Sequence, residues 1–342
     1  MMKHRYNRRP VWMAALLLIV MLIAAGCGQK ADSAAETSQP QATEQAAAQN
    51  AGSTQAPDSS SDEVRTIKHV MGETQITGTP VRVVSLYQGA NDASAAFGIK
   101  PVGIVESWLQ KPVYEYLRAE LGDVQQIGTE TQPNLEEIYK LKPDVIFANK
   151  TRHEAIYDQL SQIAPTVMTD LVYDWKGTVK LMGEVMNQQD KSDKLLADWD
   201  NRVADFKQKM GDKLPIEATI TNFREDHARI FYMGYAGGIL KELGFTRPPG
   251  HDADVWGVQL TSKENIPDMN ADVIFNFNSG NDEAAVQKLF SDWTSHPLWK
   301  NLDAVRNNQV YQVDEVSWNM AGGIISANQM LDSLYKMFNL PQ

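Results

Sequence analysis

Two arginines follow predicted strands, at positions where parallel sheets commonly bind their ligands. Arg152 comes a few residues after the apolar run 144–148, and Arg224 comes directly after the run 218–223. A guanidinium group stays charged, and its planar fork donates paired hydrogen bonds to anionic oxygens. Ligands of parallel α/β sheets bind at the carboxyl ends of the strands. The two arginines therefore predict a pocket for an oxygen-rich, anionic ligand.

Aromatic residues near predicted loops and strand ends could form the walls of this pocket. Five of them lie outside any obvious amphipathic face, namely Tyr87, Trp108, Tyr235, Trp256 and Trp318. Each ring offers a large apolar contact area, although an aromatic residue more often belongs to a core or a rim. For the two arginines, the alternative is a surface ion pair with Glu154 and Glu225. Lys150 and His227 are weaker candidates, since a structural role explains His227 as well.

Short β-branched runs alternate with helical segments along the chain. We predict strands at 81–86, 101–105, 144–148, 166–168, 218–223, 229–233, 273–277 and 310–313. Shorter helices are predicted at 93–97, 237–243, 282–290 and 322–338. Strands that alternate with helices form parallel sheets with helices on their faces.

A longer helix is predicted between the two groups of strands. Within 191–210 the apolar residues recur at spacings of three and four, and Gly211 and Pro215 favour an end there. The predicted fold class is therefore α/β, with two parallel-sheet, Rossmann-like lobes joined by a single long α-helix and a ligand cleft between the lobes. The expected boundaries are 64–189 for the N-terminal lobe, 190–212 for the connecting helix and 213–342 for the C-terminal lobe.

A short pattern occurs once in each predicted lobe. Segment 136–147 matches segment 264–275 at six positions without a gap, and every matched pair is 128 residues apart. Both segments predict a short helix that leads into a buried strand. The match favours two similar lobes, and the alternative is a sequence common to strands of parallel folds.

The first 26 residues have the features of a lipoprotein signal peptide. Four basic residues precede the apolar run 11–25, which is too short to span a bilayer comfortably, and small residues lead to Cys27, the only cysteine. We expect Cys27 to be lipidated and to anchor an extracytoplasmic protein to the cell membrane; the alternative is an incidental cysteine ending an ordinary signal. Residues 27–63 predict a disordered tether, because 28–62 contain no aromatic residue and no Ile, Leu, Met or Val.

Composition and motifs argue against several functions. The formal net charge of −11 disfavours nucleic acid and anionic lipid surfaces as partners. We expect no enzyme, since a Gly-x-Ser-x-Gly motif is missing and no cysteine follows Cys27. The histidines are scattered, so no metal ion is expected to be bound directly, and binding of a bare metal ion is a weaker alternative.

Several stretches have a distinctive order and spacing, at 80–86, 98–103, 127–128, 133–138, 141–146, 296–299, 302–305 and 310–311. Together they resemble the ferric-siderophore and cobalamin substrate-binding proteins of ABC importers, a periplasmic binding protein family with a rigid helix between its lobes. Segments 149–154, 157–166 and 222–230 look like the branch that binds ferric siderophores of the hydroxamate or citrate-hydroxamate type.

The resemblance implies a function and partners. It implies a lipid-anchored monomer that captures a ferric siderophore, as transported ligand and not as cofactor, and delivers it to ABC permease subunits with their ATPase. It also implies that Glu136 and Glu264, one in each lobe, dock onto arginines of the two permease subunits. A helix-start carboxylate is the alternative for both residues. Cobalamin or haem binding on the same fold is the closest rival function, because the site and not the fold decides the ligand.

Overall fold

The computed structural model describes residues 63–253 and 255–341. The predicted signal peptide, Cys27 and nearly all of the predicted tether lie outside the described residues. Within those residues, no helix combines the length and apolar character that a membrane span requires.

The first lobe is built on a sheet in which every strand pair is parallel, preceded by a hairpin of β1 (Val64–His69) and β2 (Gly72–Thr77). The sheet order is β5-β4-β3-β6-β7, formed by β3 (Val83–Ser85), β4 (Gly103–Glu106), β5 (Gln126–Thr129), β6 (Val145–Asn149) and β7 (Thr166–Thr169). Strands β3, β6 and β7 are buried along their whole length, as expected when helices cover both faces of a parallel sheet.

The second lobe has a mixed sheet. Its order is β10-β9-β8-β11-β12, formed by β8 (Ala218–Phe223), β9 (Ala228–Phe231), β10 (Gly257–Leu260), β11 (Val273–Asn278) and β12 (Val310–Gln312). Strands β8, β11 and β12 are parallel, whereas β9 is antiparallel to both β8 and β10. This corrects the expectation of a purely parallel sheet here. Only residues 224–227 connect β8 to β9, which is too short for a parallel crossover and forms a hairpin.

Helices cover both sheets and connect them. Their bounds are α1 (Gln88–Ala96), α2 (Arg118–Leu121), α3 (Leu135–Leu141), α4 (Lys150–His153), α5 (Tyr157–Ile163), α6 (Trp175–Val185), α7 (Gln189–Met210), α8 (Tyr235–Glu242), α9 (Glu283–Thr294), α10 (Pro297–Lys300), α11 (Asp303–Arg306) and α12 (Ile324–Met337). Short 3₁₀ turns lie at 115–117, 154–156, 211–213 and 263–269, and a π turn lies at 316–320. The predicted two-lobed α/β architecture with a long connecting helix is confirmed, and that helix is α7, with 22 residues.

The lobes also share a hydrophobic core and a second connection. One buried cluster joins side chains of both sheets to α7 and α12, including Trp199 and Leu331. At the first turn of α12, the N–H groups of Ile325 and Ser326 donate to the buried carboxylate of Asp92 on α1, at 2.8 and 3.0 Å. The C-terminal helix is therefore fixed to the first lobe as well as to the second.

The repeated segment occupies equivalent places in the two lobes. Ile138 and Ile266 are both fully buried, one in α3 and one in the 3₁₀ turn 263–269. Asp144 and Asp272 each accept a hydrogen bond from a backbone N–H just before the adjacent central strand, at 2.8 and 2.9 Å. The 128-residue spacing thus corresponds to the same strand-joining element in each sheet.

Candidate functional site

A cavity of about 560 Å³ lies between the lobes and is lined by residues of both. Six of the seven predicted ligand-binding residues line it: Tyr87, Trp108, Arg152, Tyr235, Trp256 and Trp318. The structure thus brings together residues that are up to 231 positions apart in sequence. Its size suits a small-molecule ligand.

Three of the lining aromatics are buried and are held by their polar atoms. The Tyr87 hydroxyl hydrogen-bonds the Thr178 hydroxyl at 3.0 Å, and burial raises the pKa of Tyr87 to about 12. The Tyr235 hydroxyl donates to the Gly323 carbonyl at 2.6 Å. Trp318 is only 1% exposed. These rings therefore form walls of fixed shape and have little freedom to follow a ligand.

In the first lobe, an arginine and a tryptophan face the cavity together. The Cζ atom of Arg152 lies 5.8 Å from the centre of the Trp108 ring, and Trp108 is 38% exposed. The Arg152 Nε donates to Glu130 Oε1 at 3.0 Å. Glu130 is buried, and its Oε2 accepts the N–H of Gln88, the first residue of α1, at 3.1 Å. The charge of Arg152 is therefore paired, and its guanidinium orientation is set by a buried carboxylate.

The buried His153 holds the segment that carries Glu130. Its Nδ1 accepts the N–H of Asn149 at 3.1 Å, so Nε2 carries the proton and donates to the Glu130 carbonyl at 2.8 Å. Burial lowers the pKa of His153, which keeps this ring neutral near pH 7.

In the second lobe, alternate residues of one sheet face point toward the cavity, and basic side chains lie at one end of this face, called the basic end below. Ile220 of β8 and Phe231 of β9 line the cavity. Arg229 lies two residues before Phe231 and so points to the same face, where its Cζ is 5.5 Å from the Trp256 ring centre. Arg224 follows β8 and donates to the Ser279 hydroxyl at 3.3 Å. The face thus changes from apolar to basic along the strands.

The basic end contains two arginines and a histidine. Arg229 Nε donates to His227 Nε2 at 2.9 Å, so the proton of His227 is on Nδ1, which donates to Asp226 Oδ1 at 2.5 Å. Burial and the charge of Arg224 both lower the pKa of Arg229. Within 63–253 and 255–341, neither arginine forms an ion pair with a carboxylate. This end therefore carries unpaired positive charge.

The structure separates some predicted residues from the cavity. Arg224 does not line it, because the cavity lies lower on the sheet face, against Ile220 and Phe231; its ligand role stays a prediction. Lys150 lies beside Arg152 in a separate recess of about 370 Å³. His227 and its hydrogen-bond donor Arg229 do not line the cavity either.

Other site residues were missed by the sequence analysis. Glu130 follows β5 at the carboxyl edge of the first sheet, so the rule that selected the arginines would have found it once β5 was recognised. Arg229 and Phe231 lie within a strand, and their orientation depends on the register of β9 against β8 and β10.

The two proposed docking glutamates lie on the surface. Glu136 is in the first turn of α3, where Lys140 pairs with it at 2.8 Å and lowers its pKa. Glu264 is in the first turn of the 3₁₀ segment 263–269, where its N–H donates to Ser262 Oγ at 3.3 Å. Both are exposed, at equivalent places in the repeat.

Fold and site together define a two-lobed binding protein, and in the described part of the chain no three His, Cys, Asp or Glu side chains converge as a metal site. Residues 83–316 match the family of periplasmic binding proteins, and the chain belongs to this family. The resemblance seen in the sequence is thereby confirmed.

Particular relatives are similar over most of the chain. It is 43% identical over 289 residues to the probable siderophore-binding lipoprotein YfiY of Bacillus subtilis, covering 82% of this chain and 89% of that protein. It is 42% identical over 264 residues to the achromobactin-binding periplasmic protein of Dickeya dadantii, covering 75% and 86%. The crystal structure of Staphylococcus aureus SirA complexed with staphyloferrin B matches with a TM-score of 0.77 and 50% identity, covering 81% and 99%.

Proposed function

We propose that this protein captures a ferric siderophore outside the membrane and delivers it to the permease of an ABC importer. The observation that carries this proposal is the presence of one arginine–tryptophan pair in each lobe. Trp108, Arg152 and Trp256 line the shared cavity, and Arg229 lies against the Trp256 ring. Ferric siderophores are compact, oxygen-rich and often anionic, so they need cationic donors for their oxygens and flat apolar walls for their body. The relatives at 42–50% identity, named for siderophore binding or bound to a siderophore, support the same ligand class.

We propose a role for each part of the cleft. Arg152 presents its remaining N–H groups to ligand oxygens while Glu130 fixes its orientation. Trp108 and Trp256, the exposed aromatics of the cavity, pack on the body of the complex. Arg224 and Arg229 supply positive charge at the far end. The ligand is expected to be of the hydroxamate or citrate-hydroxamate type, as the segments 149–154, 157–166 and 222–230 suggest.

A ligand panel tests this function. Purified protein is incubated with ferric citrate, a ferric hydroxamate, haem and cobalamin, desalted, and examined by absorbance; affinities follow from quenching of tryptophan fluorescence. We expect the protein to retain a ferric siderophore and release haem and cobalamin. Retention of haem or cobalamin alone would favour the rival function on the same fold.

Delivery to the permease is assigned to Glu136 and Glu264. They are exposed and equivalent in the two lobes, which suits contact with two equivalent permease subunits. Replacing both with Ala should abolish cellular iron-siderophore uptake and leave siderophore affinity unchanged. Glu283→Ala, another exposed glutamate in a first helical turn, is the matched control and should preserve uptake. A loss of ligand affinity in the double variant would contradict this division of roles.

The remaining features of the proposal concern the setting of the protein. It acts as a monomer, carries out no catalysis, and is anchored outside the cell membrane through lipidated Cys27. The relative YfiY is named a lipoprotein, which supports the anchor. Mass spectrometry of the membrane fraction should find a diacylated Cys27 as the first residue. A mature protein that begins after Cys27 would refute the anchor.

A further inference from the structure

One carboxyl group lies at the basic end of the cleft and is not used by the function proposed above. Glu315 follows β12 and directly precedes the π turn 316–320, whose Trp318, Asn319 and Met320 line the cavity. Its Oε1 is shielded from solvent and, among the described residues, makes no hydrogen bond. A buried carboxylate oxygen without a hydrogen-bond partner destabilises the ionised form of the group, so burial favours the protonated form of Glu315.

The charged groups around Glu315 come from several elements. Arg224 beyond β8 and Arg229 on β9 both interact with it electrostatically, and neither forms an ion pair with it. Asp314, its neighbour in sequence, opposes its ionisation. The side chains of Ser279 and Asn319 are close enough to favour ionisation, but neither makes a hydrogen bond to Oε1. His227 and Asp226 lie one contact further away, through Arg229.

We infer that Glu315 determines which ligand charge the basic end of the cleft accepts, acting through Arg224 and Arg229 and without touching the ligand. This inference rests on the proposed function. With a neutral Glu315, the arginine charges are uncompensated and favour an anionic, oxygen-rich ferric complex. With an ionised Glu315, one positive charge is offset and the preference for an anionic ligand decreases.

The burial of Glu315 determines whether the affinity for an anionic ligand rises or falls with pH. Burial raises the pKa of Glu315 to about 7, with Arg224 and Ser279 partly opposing the rise. The neutral form therefore dominates below this value and the ionised form above it. An anionic ligand disfavours ionisation further, so its binding must take up protons near pH 7, and its affinity must fall as pH rises.

The experiment compares wild type with Glu315→Gln, which keeps the shape of the neutral form. Calorimetric titrations with ferric citrate at pH 6 and pH 8 compare the same ligand in both proteins, so the ligand's own titration cancels. For wild type, we expect affinity to fall from pH 6 to pH 8 by roughly five- to tenfold more than for the variant. At pH 8 the variant should bind ferric citrate more tightly than wild type, and a cationic ferrioxamine complex should show no such gain.

Two controls separate this role from others. His227→Gln replaces the histidine that accepts a hydrogen bond from Arg229 and should keep the wild-type pH dependence. Titrations of wild type and of Glu315→Gln at pH 7, each in two buffers of different ionisation enthalpy, should show proton uptake by wild type and less uptake by the variant. The wild-type measurement does not depend on any variant folding.

Several outcomes would overturn the inference. These are equal pH dependence in wild type and Glu315→Gln, loss of the dependence in His227→Gln instead, or no difference in proton uptake when Glu315 is replaced. If wild type binds no ferric complex at either pH, the proposed function fails and this inference with it, a result distinct from binding with an unchanged pH profile.

Discussion

Each lobe places an arginine beside a tryptophan that lines the cavity, but only the arginine of the first lobe is ion-paired. In the first lobe, Arg152 is paired with the buried Glu130, whose other oxygen is held by the first turn of α1. In the second lobe, Arg229 is next to Arg224 and its Nε donates to His227 Nε2, with no ion-paired carboxylate among the described residues. One lobe therefore presents an oriented arginine that is ion-paired, and the other presents arginines that form no ion pair among the described residues.

This difference indicates that one lobe positions the ligand and the other attracts it. A paired guanidinium keeps a fixed direction and can still donate hydrogen bonds, but it contributes little net field. Unpaired arginines at the edge of a sheet attract anions and lose part of their hydration when the ligand binds. The first lobe is expected to orient the ferric complex, and the second to supply most of the electrostatic attraction.

The largest effect is expected from removing the charge of the second lobe. Arg224→Ala combined with Arg229→Ala should weaken binding of an anionic ferric siderophore by about 100-fold or more, since each lost hydrogen bond to a charged group costs about 1.5–3 kcal/mol. Fluorescence-quenching titrations would measure the loss. Arg306→Ala, which removes an exposed arginine paired with Asp303, is the control and should bind as wild type does.

The dependence of affinity on ionic strength tests the same prediction. Wild-type affinity should fall as ionic strength rises, whereas the double variant should show a weaker salt dependence. Unchanged affinity in the double variant would show that Arg224 and Arg229 do not contribute to ligand binding.

A smaller effect on affinity, and a distinct effect on stability, is expected at Arg152. Arg152→Ala should weaken binding by roughly tenfold. Because it leaves the buried Glu130 without its cation, it should also lower the free energy of unfolding by about 1–3 kcal/mol. Urea denaturation of the unliganded protein measures this cost.

The companion variant tests the division of roles. Adding Glu130→Gln to Arg152→Ala should restore part of the stability and none of the affinity. If Arg152→Ala alone lost affinity without losing stability, Glu130 would not be the partner that fixes the arginine.

The smallest effects are expected from the exposed rings. Trp108→Ala and Trp256→Ala should each weaken binding by roughly three- to tenfold, because a cation–π contact and ring packing contribute about 0.5–1.5 kcal/mol at partly exposed sites. Calorimetry avoids the change in intrinsic fluorescence. Equal losses in the two variants would indicate that the ligand contacts both lobes; a loss in one alone would place it against that lobe.

The sequence predicted most of the elements that support the site. Strands β3, β6, β8 and β11 are short buried runs rich in β-branched and aromatic residues, and one face of α7 has a regular helical period, so the local sequence pattern predicts them. The hairpin of β1 and β2 was missed because its residues are largely polar and exposed. Strand β10 was missed because it has four residues and is only partly buried.

The site itself was predicted only in part, for a physical reason. A residue after a buried strand can be selected from the sequence, as Arg152 was. Glu130 and Arg229 become site residues only through contacts across strands and helices, which no single segment shows. The anchoring of α12 by Asp92 is of the same kind, since it joins residues more than 230 positions apart.

The most direct test is a crystal structure of the protein with a ferric siderophore, with the iron located by its anomalous scattering. We predict a single iron peak in the cleft between the Arg152–Trp108 pair and the Arg229–Trp256 pair, with ligand oxygens within hydrogen-bond distance of arginines from both lobes. An iron peak outside this cleft, or ligand contacts to one lobe only, would contradict it.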